Sequence, residues 1–146
     1  MNAVAKAGLS LAFTLAVAVS ANAAPPSSTA NESEWIPITQ NSDDSRFYSG
    51  KRGSFEITTT KAGESVAMLL GQIEDKKDKS VSYSKWYVSA ADCDAGLGKL
   101  VVLKISGDFD FETDFVAKGN NVGSGVADII CALYEADRKV KQGKGL

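Results

Sequence analysis

Hydrophobic periodicity along this chain changes character once, and that single change decides the fold class. Ser54 to Lys61 alternates strictly, with Phe55, Ile57 and Thr59 on one side and Glu56, Thr58 and Thr60 on the other. Asp108 to Val116 alternates in the same way. A period of two is the mark of a half-buried strand. Near the C-terminus the period becomes helical: Val126, Ile129, Ile130, Leu133, Ala136 and Val140 form one apolar stripe. Ser124 stands at its start as an N-cap, which predicts a helix from about Gly125 to Lys141. Lys139, Lys141 and Lys144 load its C-terminal end with the charge that suits the helix dipole. Strands followed by one helix predict an α+β domain. We expect an antiparallel sheet of about five to six strands with the C-terminal helix packed on it.

The remaining strands are bounded by turn residues. Trp35 to Ile38 is a short extended piece whose Pro37 suits a sheet edge. Arg46 to Ser49 is a second short piece. Ser65 to Ile73 is nearly continuous in apolar residues and fits a central strand. Val81 to Ser89 is rich in Tyr, Trp and Val, and Leu97 to Ile105 is apolar up to the break at Gly107.

The first residues have a different purpose. Lys6 precedes an apolar run from Ala7 to Val19, and Ser20-Ala21-Asn22-Ala23 supplies small residues at the spacing of a cleavage site. This is the layout of a bacterial-type export signal. The run is shorter than the roughly 20 apolar residues a membrane-spanning helix needs. Residues 1–23 are therefore expected to be a signal peptide and 24–33, rich in Pro, Ser and Thr, a flexible leader. Residues 34–146 are expected to form a single α+β domain. Such a protein would reside in the periplasm, on the cell surface or outside the cell, with no integral membrane segment in its mature chain.

Export bears on the two cysteines. An even count in an exported chain favours a disulfide between Cys93 and Cys131. A metal site built on two cysteines would need two further ligands, normally histidine, and the chain has none. The same absence removes Ser-His-Asp and Cys-His nucleophiles. Carboxylate-only hydrolysis would need two acids facing each other across a cleft, which a row along one strand does not supply. No cofactor or metal is expected, and the chain reads as non-enzymatic. With 18 acidic residues against 16 basic ones, one of the latter (Lys6) in the expected signal peptide, it has no basic stripe for nucleic acid.

Two constellations could instead meet a protein ligand. Asp108, Asp110, Glu112 and Asp114 alternate with Phe109, Phe111, Thr113 and Phe115. A regular strand would put the four acids on one face and the aromatics on the other, toward the core. Lys85 or Lys104 on neighbouring strands could offset the like charges. The acids begin with the spacing of a calcium loop, but Thr113 takes the glycine position, and a basic protein partner suits them better. The second constellation is Tyr83, Lys85 and Tyr87, which share one face while Ser84, Trp86 and Val88 point to the other. Exposed tyrosines beside a cation make good interface anchors. Core packing of Trp86 and Val88 with the tyrosines merely covering the sheet is the plainer account.

Trp35 to Ile38, Tyr48-Ser49 after a polar turn, the aromatic strand running from Tyr87 into Asp92-Cys93, and Cys131 on the final helix form an ordered set. In that layout the chain resembles the small exported domains related to surface-adhesin protein E. The resemblance implies a non-enzymatic surface or periplasmic protein of a kind that binds host extracellular-matrix and serum proteins. Trp35, Cys93 and Cys131 would be its structural matches. An inhibitor or immunity protein of the periplasm, blocking a toxic or lytic enzyme, would fit the size, the disulfide and the acidic row equally well.

Overall fold

The computed structural model describes residues 33–143. The expected signal peptide and all of the leader except Ser33 lie outside the described residues. The elements are β1 (Trp35–Gln40), β2 (Arg46–Lys51), β3 (Glu56–Thr59), β4 (Ser65–Asp75), β5 (Ser80–Ser89), α1 (Ala90–Ala95), β6 (Leu97–Leu103), β7 (Phe109–Val116) and α2 (Val122–Lys141). The fold is the expected one, an antiparallel sheet with a C-terminal helix and a disulfide between Cys93 and Cys131. The sheet has seven strands because both short N-terminal pieces pair.

Strand order is β1-β2-β4-β5-β6-β7, with β3 also on β4. The 11-residue β4 is long enough to hold two partners along one edge. β2 pairs with Gly71–Asp75 and β3 with Ser65–Met68, while β5 takes the other edge along nearly the whole length. The apolar run expected to be central is therefore the spine of the sheet.

Alternation then divides the sheet into two faces. Ala67 and Leu69 of β4, Trp86 and Val88 of β5, Leu100 and Val102 of β6 and Phe115 of β7 share one face. They form the core with Val126, Ala127 and Ile130 of α2. Burying each of the larger aliphatic and Phe side chains among them stabilises the fold by roughly 1.5 to 3 kcal/mol. Gly71 makes room in this layer, since a Cβ there would overlap the Trp86 indole.

The helix differs from expectation at its start. It begins at Val122, and its N-cap is Asn121, whose side-chain oxygen accepts from the Ser124 N–H at 2.7 Å. Ser124 is fully buried within the first turn, where its Oγ accepts from the Val116 N–H at 3.1 Å and closes the connection from β7. The predicted apolar stripe is wider than the surface it covers. Val126 and Ile130 are buried, whereas Ile129, Leu133 and Val140 stay at least a third exposed.

The alanine- and aspartate-rich approach to Cys93 forms α1. Ser89 caps it by accepting from the Asp92 N–H at 3.0 Å, and Gly96 ends it in the left-handed region at φ 72°. Cys93 therefore lies on a short helix and not at a strand end, and the disulfide ties two helices together with 5.2 Å between their Cα atoms. Bonds of this type form and persist in an oxidising, non-cytoplasmic compartment. Among the described residues no helix is long and apolar enough to cross a membrane.

Candidate functional site: the open face of the sheet

The face of the sheet opposite α2 carries both constellations read from the sequence. Tyr83, Lys85 and Tyr87 of β5 stand there, cross-strand from Gln72, Leu70 and Met68 of β4. Trp86 and Val88, at 2% and 0% exposure, point the other way into the core. On the far side of β5, Lys85 faces Leu103 and Tyr87 faces Val101. Val101 in turn faces Glu112, and Lys99 faces Asp114. One row thus runs from Tyr87 through Val101 to Glu112, joining the tyrosine strand to the acidic strand across β6. Nearly half of the Tyr83 and Val81 surface and 60% of that of Phe109 remain exposed.

The four acids do not form one row. Asp108 lies in the turn before β7, where its carboxylate accepts from the Ser106 Oγ at 2.9 Å and its carbonyl accepts from the Lys104 N–H at 2.8 Å. The β6–β7 register then slips: Val102 faces Phe111, but Leu103 faces Phe109, leaving Asp110 as the extra residue of a bulge. Beyond the bulge Phe109 lies on the open face, with Leu103, instead of facing the core. Phe111, on the helix side, is 49% exposed, and of the expected aromatic row Phe115 alone is buried. Glu112 and Asp114 are the two acids that the ladder holds on the open face.

Their charge is offset by Lys99, not by Lys85 or Lys104. Its Nζ is 2.6 Å from Asp114 and 3.7 Å from Glu112, and the hydrogen bond to Asp114 raises its pKa. One cation between two exposed acids leaves the edge negative, and that field reaches β5. The Tyr87 hydroxyl has a raised pKa, first through partial burial and then through the charges of Glu64 and Glu112. Tyr87 therefore remains a neutral hydrogen-bond donor in any physiological range.

Two residues of this face were not legible as site residues. Trp35 is a structural match in the sequence reading, yet its ring lies 5.4 Å from that of Tyr83. Gln72, inside the apolar run of β4, is a buried polar residue at 8% exposure. A lone glutamine within such a run was the available signal for it, since buried polar groups call for a partner. No family model, curated protein or solved structure matches the chain.

Proposed function

We propose that this chain is an exported, non-enzymatic binding domain that presents the open face of its sheet to a protein partner. The observation that carries this reading is the row from Tyr87 through Val101 of β6 to Glu112, with Asp114 beside Glu112 and with Lys85 and Tyr83 further along β5 on the same face. Aromatic anchors beside a negative rim suit a partner that offers apolar side chains flanked by Lys or Arg. The disulfide supports a site of action outside the cytoplasm. The resemblance to surface-adhesin protein E supports display at the cell surface with a host matrix or serum protein as ligand.

The test uses the oxidised protein as bait against host matrix and serum proteins and, separately, against periplasmic extract. The double variant Glu112→Lys, Asp114→Lys should bind the captured partner at least tenfold more weakly, about 1.4 kcal/mol, and with a flatter salt dependence. Unchanged affinity and salt slope in that variant would refute the assignment of the face. Capture of a single basic enzyme in a one-to-one complex would favour the inhibitor role over the adhesin-like one.

A further inference from the structure

An apolar groove lies on the helix side of the sheet, between α2 and β1. The two elements meet closely at one end, where a Cβ on Gly125 of α2 would stand 3.1 Å from the side chain of Thr39. Further along, a groove of about 250 Å³ opens between Ile129 and Leu133 of α2 and Ile36 and Ile38 of β1. Ile129 and Leu133 are four residues apart and so share one helix face. Gly50 and Leu69 also line the groove. Gly50 keeps it open, since a Cβ there would come within 2.7 Å of a Leu69 methyl and 3.1 Å of the Ile38 terminal methyl. Ile36, Ile129 and Leu133 remain 43%, 40% and 37% exposed. This is where the apolar stripe of α2 exceeds the surface it covers. Apolar side chains gathered around a concavity mark a binding site more often than the same side chains scattered singly.

The charge along the groove selects the ligand. Among the described residues, those that line it carry no acid, amide or hydroxyl side chain. Its charged residues are Lys51 and Arg52, at the turn that ends β2, and both are basic. The Lys51 ammonium lies 3.0 Å from the Glu34 carboxylate, and both side chains are exposed. An exposed pair of this kind is weak, so an incoming anion can share the ammonium. The Arg52 guanidinium carries five donors in a fork that matches a carboxylate, enough to take one in addition to its interactions within the chain. A sugar or a polar peptide would leave its hydroxyls or amides without partners against these walls. A cationic amphiphile would meet like charge at the turn. A slender alkyl chain ending in an anion suits both parts, because its methylenes leave water along the Ile and Leu side chains.

We infer that this groove binds a single-chain anionic amphiphile of the fatty-acid type, its alkyl chain between α2 and β1 and its carboxylate at the Lys51–Arg52 turn. The site is independent of the protein-binding reading, which rests on the opposite face of the sheet.

The test titrates the full chain, disulfide intact, with monomeric octanoate, decanoate and dodecanoate, following side-chain methyl signals by NMR. The methyls of Ile36, Ile129 and Leu133 should shift saturably, while those of Val81, similarly exposed on the open face, stay still. Each added pair of methylenes should tighten binding by about fivefold or more, against roughly fifteenfold for full burial. Decyltrimethylammonium, with the same chain as decanoate and the opposite charge, should bind at least about fivefold more weakly. Arg52→Glu should remove that preference for the anion, and Ile129→Glu, which sets a carboxylate at the groove wall, should abolish decanoate binding. Both positions are at the surface, so near-ultraviolet circular dichroism should match the parent. No saturable shift at any chain length, equal affinity for the two charges, or undiminished decanoate binding in both variants would each overturn the inference. So would binding to phosphatidylglycerol vesicles without binding to monomeric decanoate, which would make the groove a membrane contact.

Discussion

Gly71 faces Gly50 across the β2–β4 pair, and the two share the helix side of the sheet. They are not interchangeable. A Cβ on Gly50 would stand 2.7 Å from a terminal methyl of Leu69, which can swing aside. A Cβ on Gly71 would overlap the six-membered ring of Trp86, a rigid side chain at 2% exposure. Overpacking of this kind forces a core side chain off its rotamer. We expect Gly71→Ala to cost about 1 to 3 kcal/mol and Gly50→Ala less. Denaturant midpoints of the two variants check the order, and equal losses would mean that the indole is free to move. Nothing local in Leu69-Leu70-Gly71-Gln72 marks the glycine as a space-making residue. The sequence shows an apolar run, and the reason for the gap comes from Trp86 on the next strand.

At the scale of elements, legibility follows the length of the periodic signal. Helix α2 is 20 residues long, and its stripe was plain. Helix α1 has six residues, too few for a period to repeat, and only its Ser89 cap and Gly96 stop announce it. The bulge in β7 had no local mark either, because Asp110 alternates as regularly as its neighbours until the partner strand slips. The disulfide matters more for the join between α1 and α2 than for the sheet. Closing 38 residues stabilises the fold by about 4 kcal/mol in the chain-entropy model. On reduction, amide exchange in α2 should rise before that of β4 and β5, since β4 is held on both edges and the helix has lost its covalent tie. Hydrogen exchange of oxidised and reduced protein reads this directly. Simultaneous loss of protection throughout would show that helix and sheet unfold as one unit. Thiol titration of the unfolded, unreduced protein should find neither Cys93 nor Cys131 free.

At the scale of the whole molecule the question is what an open sheet does with its edges. Alternation told which residues of one strand share a face. It could not tell that Trp35 reaches Tyr83, or that Tyr87 and Glu112 share a row, because those depend on register across two or three strands. The same register makes β7 an outer strand, eight residues long, with Phe109 and Phe111 exposed. A long apolar edge invites pairing with a second chain, and charges along the edge oppose it. Asp110, Glu112 and Asp114 lie on that strand, and the bulge at Asp110 further spoils it as a template. By that reasoning Asp110, Glu112 and Asp114 would oppose the addition of one molecule's strand to another. Asp110→Asn, Glu112→Gln and Asp114→Asn together should preserve the fold while shifting sedimentation velocity profiles toward larger species at equal concentration. The shift should grow as protein concentration rises. If the profiles of parent and triple variant coincide while partner capture falls, the acids serve recognition alone. If self-association rises and capture also falls, the same charges guard the edge and select the partner.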